Sequence, residues 1–481
     1  MKNYLFVFFT CLNLSLSAQI ISFEKLATFS IDSLNSIIEE AGLPEGLINP
    51  IYEVDYYKVV YLCPYLHPDS LVQASGALAI PKDSDCSLPL ASYGHGTQTK
   101  KSKVASEFNG GQWNINTIIA STGYAVAMPD YLGLGDADPR IPIPPYSHND
   151  SESQATINIL RAARTIADSL DIMLNGEIFL YGYSQGGAVT AATVKEIEQN
   201  YASEFTITGS VPMSGAYDFK YAQVDLISST NVYPTPAYFP YIILAYQSIY
   251  GNLFSNPSEY FVSPYDTILP PLLYAGNTGV GNMDNFCTPV PRDMLIDSVM
   301  TEFLTDSMHP MRLNLLDNDL VRGWYPLSPM KILYCQGDDQ VTYLNAENAF
   351  NTWTAAGSPQ LEKMDLGAFN HNVCGSFAFL EAKKYLDQRS TRCVTSINDL
   401  PLSRKPNVYP NPFLGQITID VLTNETIEFI LYDQLGQVIL TEVCSSSKEI
   451  DTYDLIPGVY FYEYTNNKGT RNQGKLIKSA D

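Results

Sequence analysis

The sequence predicts an α/β fold, and two observations carry that prediction. Segments 89–96, 123–130 and 177–184 are each a short apolar run that ends in a glycine or polar turn. Between the last two, residues 151–170 place apolar side chains at helical spacing. Because strand, helix and strand follow in this order, we expect a mostly parallel sheet covered by helices on both faces. In such sheets the functional residues gather at the carboxyl ends of the strands.

A helical cap is predicted to interrupt this sheet. Two further strands are expected at 205–215 and 330–337, and the long stretch between them, about residues 219–328, is rich in Tyr, Pro and Phe. We interpret this stretch as a mainly helical insertion whose aromatic side chains line an apolar acyl pocket. The alternative is that these side chains pack only the core of the cap itself. The last helix of the domain is expected at 376–390.

The C-terminal part has a different pattern. Short alternating strands separated by turn residues, including 466–469, predict a small antiparallel β-sandwich over 398–481. The five predicted strands are 416–422, 426–433, 436–443, 458–465 and 474–478. The catalytic domain is therefore predicted to be 19–392.

The N-terminus has the layout of a secretory signal peptide over residues 1–18. Lys2 precedes an apolar stretch that ends in small residues at Ala18, and we expect cleavage near Ala18 or Gln19. A lipoprotein would need Cys11 as the acylated residue, but Cys11 lies inside the apolar stretch. No later apolar run reaches the roughly 20 residues that a membrane span requires, so no stable membrane insertion is expected.

Composition excludes several kinds of partner. The net charge of −23 disfavours nucleic acid and anionic membranes, since both need a basic face. No CxxC or HExxH spacing occurs, so we expect no metal and no cofactor. Export permits disulfides, and Cys63 with Cys86, or Cys374 with Cys393, could close short loops. The spacing does not decide the pairing.

The segment Gly182-Tyr183-Ser184-Gln185-Gly186 matches G-x-S-x-G. It follows an apolar strand and precedes a good helix, which is the context of the nucleophile elbow in an α/β-hydrolase. Glycines let the chain turn sharply and present the serine hydroxyl at the N-terminus of the helix. We therefore predict Ser184 as a catalytic nucleophile.

A serine needs an adjacent base, normally a histidine that a carboxylate orients. In this fold the order along the chain is Ser, then Asp or Glu, then His, and only His309 and His371 follow Ser184. His309 falls in the predicted cap, whereas His371 lies between a short apolar run and the final helix. His371 is the predicted base.

The acid is expected on the loop after the strand at 330–337, where Asp338 and Asp339 compete. Asp338 begins a D-x-x-V spacing in which Val341 could anchor the loop in the core, so we favour Asp338. Asp218, which follows the preceding strand, is a further option.

Acyl transfer also needs donors for the tetrahedral oxyanion. The first is expected to be the backbone N–H of Gln185, directly after the nucleophile. The second is expected from the loop after the strand at 89–96, as the N–H of Thr97 or of Gly96. His95 is expected to fix this loop and to take no part in catalysis.

Several segments resemble secreted lipases and esterases of the fungal secretory-lipase type and their bacterial relatives. They are PLASYGHGT, GYAVAMPDYLGLGD, SQATINILRAAR and YGYSQGG. The resemblance covers about residues 55–390 and implies a capped acyl hydrolase with Ser184, Asp338 and His371 in the catalytic roles. Relatives often have His-Pro-Tyr where this chain has Pro-Pro-Tyr at 144–146, a departure that bears on substrate preference.

The C-terminal segments resemble the sorting domain of the type IX secretion system. The segments are NVYPNPFLGQITID, LYDQLGQVI and PGVYFYEYT, followed by a Lys-containing last strand. The resemblance implies Sec export and passage across an outer membrane with the type IX machinery as partner. A carbohydrate-binding module is the alternative.

We therefore expect a secreted or surface enzyme that hydrolyses small-molecule or lipid carboxylic esters. A serine peptidase would share the catalytic residues but needs an acidic pair in the cap for a substrate amino terminus, and none is evident. A non-catalytic surface protein is a third option, against which the complete set of catalytic residues counts.

Overall fold

The computed structural model describes residues 19–40, 48–110, 112–392, 407–421, 426–433, 436–466 and 471–479. The predicted signal peptide at 1–18 lies outside the described residues. The chain divides into two compact units, Met1–Cys393 and Val394–Asp481. Among the described residues, no helix combines the length and apolar character that a membrane span needs.

The first unit is built on a nine-stranded sheet. Its strands are β1 (Ile20–Phe29), β2 (Val54–Tyr65), β3 (His67–Pro81), β4 (Leu88–Gly94), β5 (Ala125–Pro129), β6 (Leu174–Tyr183), β7 (Ile207–Met213), β8 (Met330–Tyr334) and β9 (Leu361–Asp365). Their order in the sheet is β1-β2-β3-β5-β4-β6-β7-β8-β9. From β5 onward all neighbours pair in parallel, whereas β1, β2 and β3 extend the sheet in antiparallel pairing.

Helices cover both faces of this sheet and also form the cap. They are α1 (Ile31–Glu40), α2 (Trp113–Ala120), α3 (Asn149–Ser169), α4 (Gln185–Asn200), α5 (Ala222–Ser228), α6 (Tyr238–Tyr250), α7 (Tyr265–Ala275), α8 (Val280–Met283), α9 (Asp297–Thr305), α10 (Pro310–Asp317), α11 (Leu344–Ala356) and α12 (His371–Arg389).

Two hydrophobic cores lie on the two faces of the sheet. One contains Ile159 of α3 and Val189 of α4, and the other contains Ile119 of α2 and Phe379 of α12. All seven residues of β4 and all five of β5 are buried. Burial on both faces explains why these strands are continuous apolar runs without alternation.

The cap runs from α5 to α10 between β7 and β8, in the predicted place. It has a core of its own, which contains Tyr241 and Tyr246 of α6, Leu269 of α7 and Phe303 of α9. Part of the aromatic content of this segment therefore packs the cap itself, as the alternative interpretation held.

The second unit consists of β-strands only in its described part. They are β10 (Asn407–Tyr409), β11 (Gln416–Asp420), β12 (Ile427–Tyr432), β13 (Val438–Cys444), β14 (Lys448–Asp451), β15 (Gly458–Asn466) and β16 (Arg471–Lys478). They form the sheets β10-β11-β14 and β13-β12-β15-β16, with every neighbouring pair antiparallel. The predicted small antiparallel β-sandwich is confirmed, although most of the predicted turn at 466–469 lies outside the described residues.

Candidate active site

Ser184 lies at a sharp turn between β6 and α4. Its backbone has φ 62° and ψ −122°, in a region that side-chain-bearing residues rarely adopt. Its N–H donates to the carbonyl of Met213 at 3.0 Å. A Cβ at Gly186 would lie 1.8 Å from the carbonyl oxygen of Gly94, so only glycine permits this approach of α4 to β4.

A chain of hydrogen bonds connects Ser184, His371 and Asp338. His371 Nε2 lies 2.9 Å from Ser184 Oγ, and His371 Nδ1 lies 2.8 Å from Asp338 Oδ2. Because an ionised carboxylate only accepts, Nδ1 carries the proton and Nε2 is left to accept from the serine hydroxyl. Ser184 and His371 are buried, and the side chains of His371 and Asp338 are only 5% and 1% exposed. The arrangement can withdraw the proton from a serine nucleophile.

The two neighbouring aspartates make different contacts. Asp338 Oδ1 accepts the backbone N–H groups of Gln340 and Val341 at 3.0 and 2.8 Å, which fixes the carboxylate facing the imidazole. Asp339 Oδ1 accepts the backbone N–H of His371 at 3.1 Å and does not contact its ring nitrogens in the structure. The expected anchoring of Val341 in the core is wrong, since its side chain is half-buried and lines a cavity.

The other candidate residues lie in structural contacts. His309 is the N-cap residue of the cap helix α10, and its Nδ1 accepts the N–H of Met311 at 3.2 Å. Asp218 is paired with Arg322 at 2.8 Å and accepts from Asn348 at 2.6 Å. Neither residue is brought to Ser184.

The loop after β4 runs beside the nucleophile. A Cβ at Gly96 would lie 3.7 Å from the Cβ of Ser184, so this loop is in van der Waals range of the serine. The hydroxyl of Thr97 lies 3.2 Å from that of Tyr146. Gln185 is the first residue of α4.

His95 holds this loop from within the protein. Its ring nitrogens lie 2.7 Å from the carbonyl oxygen of Gly96 and 3.1 Å from that of Asp130. Its ring also packs on Tyr131, with centroids 4.2 Å apart. The side chain is 1% exposed, and this burial lowers the pKa of His95. These contacts fit a loop-fixing residue that does not reach the nucleophile.

A cavity with about 730 Å³ of empty space, part of it open to solvent, includes Ser184 and Gln185 in its wall. The cap contributes most of the remaining wall, through Leu226, Ile227, Tyr233, Tyr238, Phe239 and Ile242. The cap aromatics thus have both of the expected roles, because some line this cavity while others form the cap core. An apolar wall next to a serine suits an apolar acyl group.

The cysteine pairings suggested by short loops are wrong. Cys374 is bonded to Cys335 across a separation of 39 residues, and Cys63 is a buried free thiol. Cys86 is also disulfide-bonded, so it cannot pair with the free thiol of Cys63. The Cys335–Cys374 bond could not be found from loop length, because the fold brings the end of β8 next to the start of α12.

One buried acid near the serine was not found from the sequence. Glu152, in the first turn of α3, accepts hydrogen bonds from Gln185 Nε2 and the N–H of Ser147 at 2.5 and 3.0 Å. Burial raises the pKa of Glu152 to about 8. A glutamate inside a predicted amphipathic helix gives no sequence signal for such a position. In the described part of the chain, no group of three or more His, Cys, Asp and Glu side chains is arranged to hold a metal ion.

Comparisons with known proteins agree with this geometry. Residues 104–219 match the family model for secretory lipases, and residues 407–479 match that for the secretion system C-terminal sorting domain. Both predicted resemblances are confirmed. The protein is therefore secreted or located at the cell surface. No curated protein sequence matches the chain.

Solved structures extend the comparison to the whole first unit. The rice cell wall degrading esterase LipA from Xanthomonas oryzae is 26% identical, with a TM-score of 0.66 over 77% of this chain and 99% of that one. The chain is a hydrolase of the lipase and esterase type. A putative hydrolase from Legionella pneumophila is 22% identical, with a TM-score of 0.70 over 79% of this chain and 100% of that one. Lipase A from Candida antarctica is 15% identical, with a TM-score of 0.59 over 78% and 84%. These neighbours confirm the α/β-hydrolase fold.

Proposed function

We propose that this ester hydrolase works through an acyl-enzyme on Ser184, with His371 as the base and Asp338 as the residue that orients it. The observation that carries the proposal is the hydrogen-bond chain from Ser184 Oγ through His371 to Asp338, at the wall of an apolar cavity. The three residue types and their order along the chain are those of acyl-transferring α/β-hydrolases.

Acylation begins when Ser184 Oγ attacks the carbonyl carbon of the ester. His371 Nε2 takes the hydroxyl proton, and the carbonyl oxygen becomes an oxyanion. Collapse of the tetrahedral intermediate breaks the bond to the alcohol oxygen, and His371 returns the proton to the leaving alcohol. Water, deprotonated by the same imidazole, then attacks the acyl carbon. The bond between that carbon and Ser184 Oγ breaks, His371 returns the proton to Oγ, and the carboxylic acid leaves. Asp338 stabilises the imidazolium in both steps.

The oxyanion needs preorganised donors on the side of Ser184 away from His371. We assign the first donor to the N–H of Gln185, at the N-terminus of the 16-residue helix α4. The second is assigned to the N–H of Thr97, with that of Gly96 as the alternative, because the loop passes directly beside the serine. Removing one such donor typically costs about 10²–10³ in kcat.

An apolar acyl group is the part of the substrate that the cavity fits. Leu226, Ile227, Phe239 and Ile242 present hydrocarbon next to the serine, and each buried methylene contributes about 0.8 kcal/mol. The related esterase from Xanthomonas oryzae is described as degrading rice cell wall, which also supports an ester as substrate. We therefore propose that kcat/KM rises with acyl length until the cavity is full.

The test is a panel of p-nitrophenyl esters from acetyl to dodecanoyl, measured beside aminoacyl-p-nitroanilides with the Ser184→Ala variant as control. We expect the butyryl and octanoyl esters to be hydrolysed fastest, and every activity to vanish in the variant. Faster cleavage of the anilides would favour a serine peptidase and overturn the ester assignment.

The sorting domain is proposed to direct export through the type IX machinery and to contribute nothing to catalysis. Every proposed catalytic group lies in the first unit. Deleting 398–481 should therefore leave kcat/KM unchanged in a heterologous host and should abolish secretion in a host with this system. A loss of activity on soluble esters would contradict that separation.

A further inference from the structure

Glu152 lies behind the wall of the cavity and connects two parts of that wall. Its Oε1 accepts from Gln185 Nε2 at 2.5 Å and from the backbone N–H of Ser147 at 3.0 Å. Gln185 and Ser147 both line the cavity beside Ser184, whereas Glu152 itself does not. One carboxyl oxygen therefore fixes the first residue of α4 relative to the segment that precedes α3.

The other oxygen of this carboxyl, Oε2, accepts no hydrogen bond in the described structure. Glu152 is 2% exposed, and its buried Oε2 has no hydrogen-bond partner among the described residues. An ionised carboxylate in such a place would have one buried oxygen that no protein donor stabilises. The geometry therefore favours the neutral acid.

No cation in the described structure offsets a negative charge at this position. Two hydrogen bonds to Oε1 and the N-terminus of α3 favour ionisation, but desolvation by burial outweighs them and raises the pKa of Glu152 to about 8. The titratable groups that interact with its charge are all buried tyrosines, from the segment after β5, the segment before α3 and helix α6. They are Tyr131, Tyr146, Tyr241 and Tyr246.

We propose that Glu152 is a positioning residue that acts as a neutral acid: it holds Gln185, and its ionisation sets the alkaline limit of ester hydrolysis. The inference rests on the proposed function, in which the N–H of Gln185 stabilises the oxyanion. Ionisation puts a negative charge on the hydrogen-bond partner of Gln185. That charge repels the oxyanion, so the transition state is penalised more than the bound ester.

The test compares pH profiles of kcat and KM for the full-length wild-type protein and three variants, using p-nitrophenyl butyrate. Glu152→Gln keeps an acceptor for Gln185 and cannot ionise, whereas Glu152→Ala removes the acceptor. Glu196→Gln is the matched control, because Glu196 lies on α4 and burial also raises its pKa, but it bonds to Gln154 and Asn200.

We expect the wild-type kcat to fall above pH of about 8, by about tenfold per pH unit as for a single ionisation. This decline should be absent in Glu152→Gln and present in Glu196→Gln. Glu152→Ala should lower kcat at pH 7 by about tenfold or more while KM changes less than about twofold. A purely structural role would instead change KM or thermal stability equally in the Ala and Gln variants.

Labelling with a fluorophosphonate separates the two proposals. Covalent modification of Ser184 in the wild type and the Glu152 variants, with none in Ser184→Ala, supports the nucleophile assignment. If Ser184 is labelled but Glu152→Gln keeps the alkaline decline, the role of Glu152 is overturned and the proposed function stands. If Ser184 is not labelled at any pH, the proposed function itself fails.

Discussion

Cys335 and Cys374 connect the two segments that carry the proposed acid and base. Their disulfide joins the end of β8, three residues before Asp338, to the first turn of α12, three residues after His371. The bond therefore restrains both ends of the hydrogen bond between His371 Nδ1 and Asp338. Structural disulfides form and persist mainly in oxidising compartments, which agrees with an exported protein.

Removing this disulfide should impair stability and catalysis together. For the Cys335→Ser/Cys374→Ser variant we expect a loss of about 2–4 kcal/mol in the free energy of unfolding, because the unfolded chain gains entropy. We also expect a lower kcat, because the loop and the helix can separate. Thermal unfolding and ester kinetics measure both. Cys287→Ser, which removes a free thiol, is the control, and a double variant indistinguishable from it would contradict the role of the bond.

The three proposed catalytic residues should behave as one unit. Ser184→Ala and His371→Ala should each lower kcat by roughly 10⁴ or more, and the double variant should lose little beyond either single variant. Additive losses would mean that the two residues act independently. Steady-state kinetics with p-nitrophenyl butyrate, on protein checked for folding, provides the measurement.

Asp338→Asn should cost more activity than Asp339→Asn. Only Asp338 contacts the imidazole through both carboxylate oxygens, at 3.0 and 2.8 Å, while Asp339 accepts a backbone N–H at the start of α12. The kcat values of the two variants decide the order. The reverse ranking would move the acid to Asp339.

Gly186→Ala should be far more damaging than Gly281→Ala. An added Cβ at Gly186 would meet the backbone of Gly94 at 1.8 Å, whereas one at Gly281 meets nothing within 4 Å. Because backbone cannot move aside, α4 must shift away from β4 and displace Ser184, which should lower kcat/KM by about 10²-fold or more. Soluble yield, melting temperature and activity are the readouts, and wild-type values in both variants would show that the elbow is less tightly packed.

Glu152 should make the stability depend on pH. Its pKa in the folded protein is about 8, compared with an ordinary value of 4.5. Between these values the folded protein keeps a proton that the unfolded chain has lost. The contribution of Glu152 to the free energy of unfolding is therefore greatest below pH 4.5 and falls as the pH rises to about 8. The melting temperature of Glu152→Gln should therefore rise relative to that of the wild type as the pH increases from 4.5 to about 8. A constant difference between the two would mean that Glu152 ionises normally when folded.

The sequence predicted those parts of the fold that have a clear apolar pattern. Strands β4 to β8 are apolar runs that end in turns, and helix α3 has clear amphipathic spacing, so both were found. Strand β9 (Leu361–Asp365) was missed because three of its five residues are charged and three are exposed. Strand β1 was missed because it lies at the edge of the sheet and is mostly exposed.

The candidate site was predictable where chain order restricts the choice. Only two histidines follow Ser184, and the G-x-S-x-G context identifies the elbow, so Ser184 and His371 follow from the sequence. The position of Glu152 and the Cys335–Cys374 bond do not, because both depend on segments that only the folded sheet brings together.

The proposed mechanism requires transfer of an acyl group to Ser184, and trapping the acyl-enzyme detects that transfer. The purified protein is mixed with p-nitrophenyl butyrate, quenched in acid within milliseconds, digested and analysed by mass spectrometry, with Ser184→Ala treated in parallel. We expect a butyryl group on the peptide that contains Ser184, and on Ser184 itself after fragmentation, with no such adduct in the variant. A butyryl group on another residue, or full hydrolytic activity in Ser184→Ala, would contradict the claim.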